Sequence, residues 1–178
     1  MANEKKLDCV ILGLLSHEDL TGYEIKKRMD TVLKYFWSAS YGSIYPTLKE
    51  LADRKLATKT ESKESGREKI TYTITKEGRK YLKDWLTIPV DKDELRYETL
   101  LKLFFGHEAG APASFRHVEN FEEKIRDELP QLMAMAKTLE EIAEDDETHL
   151  HYLLTVKFGV KGYQAYLEWC NEAKALLS

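Results

Sequence analysis

At 178 residues the chain has length for one large domain or two small ones, with ample sequence for a real core. Hydrophobic residues at 43% and charged residues at 33% indicate a soluble, helix-rich globular protein. The formal net charge of −4 hides an asymmetry: residues 1–90 carry 17 Lys and Arg against 13 Asp and Glu (+4), and residues 91–178 carry 10 against 18 (−8). A basic amino-terminal half is the half expected to meet phosphates. Cys9 and Cys170 lie far apart, without CxxC or histidine spacing, which points to a reducing cytoplasm and two buried structural thiols and away from a metal site or cofactor. The apolar run 9–15 is too short to span a membrane, and Ser16-His17-Glu18-Asp19 is no signal-peptidase site.

Residues 7–15, with Val10, Ile11, Leu14 and Leu15, predict a buried first helix. Thr21-Gly22-Tyr23-Glu24 has the spacing of a capping box, in which the threonine hydroxyl and the glutamate each satisfy the other's backbone N–H. Ile25, Met29, Val32, Leu33 and Phe36 then recur on one face of a second helix. Phe36-Trp37-Ser38-Ala39-Ser40 makes the turn into a third. There Ile44, Leu48, Leu51 and Ala52 form an apolar seam, while Ser40, Tyr41, Gly42, Ser43, Tyr45, Pro46 and Lys49 surround its amino-terminal end. Hydroxyls, a lysine and free backbone N–H groups at a helix start suit phosphates and base edges. With Ser43 as the cap, Pro46 falls in the first turn, where its missing N–H costs nothing.

A threonine-rich run at 57–63, turn chemistry at 64–68 and strict alternation of Ile70, Tyr72 and Ile74 predict a β-hairpin with a five-residue turn. Lys63, Arg67 and Lys69 gather at its tip. A basic hairpin directly after a candidate recognition helix is the wing of a winged helix-turn-helix. Thr75 caps a fourth helix, 76–86, with a stripe of Tyr81, Leu82, Trp85 and Leu86. Thr87-Ile88-Pro89 breaks the pattern, giving a DNA-binding domain over 1–88 and a helical dimerisation and effector domain over 89–178.

The second half opens with an apolar-rich helix over 95–105, stopped by Gly106. From Ser114, Phe115, Val118, Phe121, Ile125, Leu129, Leu132, Ala136, Leu139 and Ile142 form a near-heptad seam, with Pro130 expected to kink the helix but not end it. A second copy of the chain is the preferred partner for that seam, since helix-turn-helix proteins usually bind DNA as dimers. The acidic run 144–147 lacks EF-hand spacing and reads as a solvated helix junction. The last helix, about 148–177, carries Phe158, Tyr163 and Trp169; Gly159 and Gly162 in its middle suggest a close helix crossing.

In order and spacing, Ile11-Leu12-Gly13-Leu14-Leu15, Thr21-Gly22-Tyr23-Glu24-Ile25, Gly42-Ser43-Ile44-Tyr45-Pro46-Thr47-Leu48 and Tyr72-Thr73-Ile74-Thr75-Lys76-Glu77-Gly78 resemble PadR-family transcriptional regulators. The resemblance continues to Trp169. It implies a mainly α fold: an amino-terminal winged helix-turn-helix with a two-stranded wing, and a carboxy-terminal long-helix dimerisation domain. It implies a homodimeric bacterial transcription factor, usually a repressor, sometimes released by a small aromatic effector. Double-stranded DNA would be met by the helix start at 41–49 and by the wing around Gly66 and Arg67. The last helix would pack on the amino-terminal helices of a partner subunit.

The expected mode of action is a two-fold dimer placing two copies of the 40–49 helix in successive major grooves about 34 Å apart, on a pseudo-palindromic operator. Trp37, Tyr41, His151 and Tyr152 are the residues expected to border an effector cavity between the halves. The His151-Tyr152-Leu153 string resembles phenolic-acid-responsive family members, although Tyr41-Gly42 stands where those carry a histidine and a polar residue. The five histidines form no HExxH and no nucleophile elbow is present, so an enzyme is not expected. A winged-helix module that binds protein, and an effector-independent activator, are the competing readings.

Overall fold

The computed structural model describes residues 2–64, 67–90, 93, 96–143 and 146–178, with side chains described from Lys6 onward except at positions 63, 64, 67 and 68. The chain divides into two units, Met1–Lys92 and Asp93–Ser178. In chain order the first unit holds α1 (Ala2–Leu15), β1 (Leu20–Thr21), α2 (Gly22–Arg28), a π-helical turn (Met29–Leu33), α3 (Tyr41–Asp53), β2 (Ala57–Glu64), β3 (Arg67–Ile74) and α4 (Lys76–Leu86). The second holds α5 (Glu98–Phe104), a 3-10 turn (Gly106–Glu108), α6 (Ala111–Ile142) and α7 (Glu147–Leu177).

Leu7, Ile11, Leu12 and Leu15 of α1 are buried against Ile25 and Met29, and against Ile44, Leu48 and Leu51 of α3. The sheet closes this core from below. Among the described residues it has three antiparallel strands in the order β1-β3-β2, one more than the two-stranded wing expected from sequence. Leu20 pairs with Tyr72 and Thr21 with Thr71. Two residues are too few for an alternation signal, and Thr21 also ends β1 as the cap of α2. The capping box itself forms: Glu24 N–H donates to Thr21 Oγ1 (3.2 Å) and Thr21 N–H to Glu24 Oε2 (2.7 Å). Those two bonds hold the Glu24 carboxyl below its ordinary range, with the Thr21 backbone as the main cause.

Three local expectations need correction. The single face of the second helix ends at Met29, because the π-helical turn fits more residues into each turn and shifts the phase of the residues after it. Val32 and Phe36 are thereby turned out, at 42% and 57% exposure. Thr31 assists by donating its hydroxyl back to the Lys27 carbonyl (2.9 Å). Pro46 is not in the first turn: the cap is Ser40, with extended backbone (φ −86°, ψ 160°), so the proline falls in the second turn. The N–H it lacks would have met the Gly42 carbonyl. The hairpin turn is also shorter than five residues, since β2 runs to Glu64 and β3 resumes at Arg67. Gly66 lies outside the described residues.

The end of α3 is fixed by a Schellman motif. Leu56 N–H donates to the Leu51 carbonyl and Lys55 N–H to the Ala52 carbonyl, with Lys55 in the left-handed region at φ 59°. Thr75 then latches α4 to this corner: its hydroxyl donates to the Lys55 carbonyl (2.8 Å) and accepts from Gly78 N–H (2.9 Å). Glycine is required at 78, because a Cβ there would stand 2.0 Å from the Leu56 carbonyl oxygen.

In the second unit α6 and α7 run antiparallel, as the pairs Glu122–Lys174, Glu128–Tyr163 and Glu140–Lys157 require. Helix α6 passes through Pro130 without ending. The start of the 95–105 helix at Leu95 lies outside the described residues, as do Glu144 and Asp145 of the acidic run, while Asp146 caps α7 by accepting from Thr148 N–H (2.7 Å). The heptad seam is largely occupied by the chain itself: Val118, Ile125 and Leu132 are buried within the subunit and present no surface to a second copy. Phe121 stacks edge-on with Tyr97 and Trp169, and the Tyr97 hydroxyl donates to the Tyr166 hydroxyl (2.7 Å). Glu122, buried beside this seam, is held ionised by Lys174 first and Arg126 second.

Gly159 faces Leu132, but an added Cβ would sit 3.5 Å from the leucine methyl, an ordinary contact. The close crossing expected from Gly159 and Gly162 therefore does not exclude a methyl group within the subunit. Opposite outcomes are expected at two glycines under urea denaturation. Gly159→Ala should stabilise the second unit by about 1 kcal/mol through helix propensity, and Gly78→Ala should destabilise the first by about 3 kcal/mol or more through overpacking.

Candidate nucleic-acid interface

The buried seam of α3 dictates what its other face shows. With Ile44, Leu48 and Leu51 fully buried, Tyr41, Tyr45 and Lys49, spaced four residues apart, form one outward stripe. Tyr41 and Tyr45 are 45% and 49% exposed and their rings stack, with centroids 6.2 Å apart at 20°. Gly42, Pro46 and Ser40 are exposed beside them. The Ser40 hydroxyl makes no cap bond; it lies 3.3 Å from the Ser43 hydroxyl, which donates to the Ser40 carbonyl (2.9 Å). The first-turn N–H groups are thus left without a side-chain cap, and they point out of the helix end where an anion is favoured.

The hairpin projects from the same unit. Its base is in the core through Ala57, Ile74 and Tyr72, and by Ile70 (40% exposed) it has left the core. Eight residues per strand correspond to roughly 26 Å of extended chain. Lys63 pairs with Glu68, Glu64 with Arg67 and Ser62 with Lys69 in the ladder. Of the basic residues expected at the tip, Lys63 and Arg67 are thus placed by backbone only; the half-buried Lys69 also bears electrostatically on Glu24 of the capping box.

Two residues of this surface were missed in the sequence. Gly22 allows Tyr45 to lie on the start of α2: a Cβ there would be 2.6 Å from Tyr45 Cε1. Lys26 sits 5.6 Å from the centroid of Tyr41 and pairs with Asp30, putting a cation behind the tyrosine pair. The Gly-Tyr-Glu string carried the first signal, read only as a cap; the second needs the angle between α2 and α3, which no local pattern encodes.

A cavity of about 600 Å³ is lined by Trp37 and by other residues of the first unit, including Leu7, Asp8, Phe36, Ser43 and Glu50. Tyr41, His151 and Tyr152 do not line it. His151 and Tyr152 lie exposed in the first turns of α7, and His151 Nδ1 is 2.8 Å from the Glu147 carbonyl oxygen. The lining of this cavity is drawn from the first unit alone. Both thiols are buried, and burial pushes that of Cys9 up to about 11, with the Asp8 carboxylate adding to it, so Cys9 stays protonated near neutrality. Among the described residues no three His, Cys, Asp or Glu side chains are grouped for a metal ion, and no helix is long and apolar enough to cross a membrane.

Residues 11–84 match the family model described as the transcriptional regulator PadR-like family, and residues 95–178 match that described as virulence activator alpha C-term. Over 96% of this chain and 97% of the relative, it is 30% identical to the negative transcriptional regulator PadR of Bacillus subtilis (strain 168). The protein belongs to the PadR family. Its fold matches the crystal structure of Bacillus subtilis PadR in complex with operator DNA with a TM-score of 0.81, at 27% identity over 97% of this chain and 99% of that one. The structure of the same regulator in complex with p-coumaric acid matches with a TM-score of 0.71, at 27% identity over 98% and 96%. These relatives are transcriptional regulators and not enzymes, and the winged-helix architecture is theirs.

Within this PadR-family surface Gly22 offers a clean perturbation. In Gly22→Ala the exposed Tyr45 ring can swing away, but the buried Leu48 methyl 3.3 Å from the added carbon must give by a few tenths of an ångström, so the fold should lose about 1 kcal/mol. The Tyr41 and Tyr45 ring resonances in NMR spectra should shift together, and unshifted rings would mean that Gly22 does not position them.

Proposed function

We propose that this transcriptional regulator is a cytoplasmic homodimer that represses by binding a pseudo-palindromic operator. The single observation that carries the reading is the Tyr41–Tyr45–Lys49 stripe, exposed at an uncapped helix start in the same unit as a long basic hairpin. Each subunit inserts this helix into a major groove, with Tyr41, Ser43 and Tyr45 nearest base edges or adjoining phosphates. Lys49, Lys63, Arg67 and Lys69 neutralise phosphates. The relative named as a negative regulator, solved with operator DNA, supports both the partner and the sign. A small aromatic effector releases the DNA, a reading supported by the relative solved with p-coumaric acid.

The domain roles divide between the two halves: residues 1–88 bind DNA, and residues 89–178 dimerise. Since Val118, Ile125 and Leu132 are covered within the subunit, the second copy is met by what α5 and α7 leave in water. Phe104 and Phe158 are each 80% exposed and Leu154 60%. Large apolar side chains exposed in this number mark an interaction surface.

One observation favours a different sign of regulation: the second unit matches a model named for a virulence activator. Transcription in vitro from the promoter upstream of the gene decides it, with repression expected on adding the protein.

Fluorescence anisotropy on a duplex carrying a selected binding site tests the DNA contacts. Lys49→Ala and Lys69→Ala should each lower the log–log salt slope by about 0.9, the value for one phosphate contact. Unchanged slopes in both variants, with Lys63→Ala and Arg67→Ala added, would remove the helix and wing from the interface.

Light scattering tests the dimer: Phe158→Glu should convert it to a folded monomer, since a charge replaces an exposed ring without entering the core. A dimer that persists would place the interface elsewhere.

A further inference from the structure

The outward tyrosines of α3 are braced from α2. Ile25 and Met29 are fully buried, which fixes the rotation of α2 about its axis. Gly22 and Lys26, four residues apart, share the edge of α2 that meets the start of α3. Gly22 takes the Tyr45 ring and Lys26 the Tyr41 ring, so the two helices meet antiparallel along this edge. The Lys26 ammonium lies over the Tyr41 ring, 5.6 Å from its centroid, which is within reach of an attractive contact with the ring face. The same ammonium is paired with Asp30 in the π-helical turn. The Lys26 side chain is 16% exposed and that of Asp30 54% exposed. A carboxylate on its own segment thus places the ammonium, and the ammonium meets a ring on the next helix. Tyr41 passes the constraint on, because its ring stacks on Tyr45 and Tyr45 lies on Gly22. The tyrosine pair is held at both ends.

We propose that Lys26 is a positioning residue that sets the sequence preference of the DNA-binding surface without touching DNA. Anchored by Asp30, it fixes the Tyr41 ring, and through Tyr41 the Tyr45 ring, at one place on the outer face of α3. The proposal rests on the reading that this face meets the duplex, and adds to it a residue on another helix. A tyrosine hydroxyl held at one point favours the base edge that complements it there. A ring free to turn accommodates several base pairs, and must be ordered on binding where a braced ring is ordered already. Lys26 differs in this from Lys49 and Lys69, whose proposed part is to neutralise phosphates. Its charge is answered by Asp30, so its effect falls on discrimination and not on the electrostatic part of binding. An i, i+4 pair with one exposed partner contributes little to stability, so its loss leaves the fold in place and uncovers the positional effect.

Fluorescence anisotropy at several salt concentrations, on a selected duplex and on a scrambled one, tests this with Lys26→Met, which keeps a long side chain and removes the charge. Lys26→Met should weaken the selected duplex by about fivefold, the cost of ordering one freed side chain, and the scrambled duplex by less than about twofold. The log–log salt slope should stay as it is. Lys26→Arg, which keeps a cation over the ring, should restore most of the preference. In a Tyr41→Ala background Lys26→Met should have no further effect on either duplex. In NMR spectra of the DNA-free protein, Lys26→Met should shift the Tyr41 and Tyr45 ring resonances together. If Lys26→Met does not fold, Lys26→Gln takes its place in every measurement. A slope lowered by about 0.9 would make Lys26 a direct phosphate contact and overturn the proposal. Unshifted rings, an unchanged preference, or an equal loss in the Tyr41→Ala background would overturn it too. Tyr41→Ala and Lys49→Ala separate the levels. If both leave affinity for the selected duplex intact, the reading of α3 as the DNA-binding face falls; if they weaken it and Lys26→Met does not, only the positioning role falls.

Discussion

Burial of one helix edge sets the rest of the molecule. Ile44, Leu48 and Leu51 are fully buried, and at about 1.5–3 kcal/mol for each side chain removed from water they hold α3 against rolling about its axis. A helix that cannot roll presents one fixed stripe, and here that stripe is Tyr41, Tyr45 and Lys49. Position along the axis is held separately. The Schellman motif at Lys55 stops the helix, and Thr75 bonds that stop to the start of α4. Gly78 lets the two backbones approach, and Gly22 does the same between the start of α2 and the Tyr45 ring. The outer face of α3 is thus specified by contacts made almost wholly on its inner one.

Much of this was legible in the sequence because it is local. The i, i+4, i+7 spacing of the α3 seam, the Thr21–Glu24 box and the Thr75 cap each involve residues within a few positions of one another, and each forms as the pattern dictates. What was misread depends on partners or on phase. The π-helical turn adds residues without changing composition, so Val32 and Phe36 looked like core. Ser40 and Ser43 are chemically equal as caps, and only backbone angles separate them. For β1, the bonding of Leu20 and Thr21 depends on a strand fifty residues away.

The seam of α6 shows the same limit at larger scale. A heptad pattern states that a helix has an apolar edge; it does not state which helix covers that edge. Residues from Phe115 to Leu139 looked suited to a second copy, and α7 of the same chain takes much of the place. The buried Glu122 makes that pairing specific. Its carboxylate accepts from Arg126 on its own helix and from Lys174 on α7, and a slip of one turn would take away the Lys174 bond and leave Arg126 alone to hold a buried charge. The apolar surface left in water is consequently the part with weaker periodicity, where Leu154 and Phe158 sit four apart on the exposed side of α7.

Arg54 ties these threads together in the first unit. It is the terminal cap of α3, and its guanidinium reaches Asp8 on α1, Glu50 on α3 and the face of Tyr81 on α4, 5.1 Å from the ring centroid. Tyr81 first, then Asp8 and Glu50, push its already high pKa further up, so it is a permanent charge. Asp8 is 5% exposed at its side chain, so loss of Arg54 would take a charge partner from a buried carboxylate, whereas Glu50, 60% exposed, can exchange Arg54 for water at little cost. The guanidinium is thus a strut that ties the end of α3 to α1 more firmly than it ties α3 to itself.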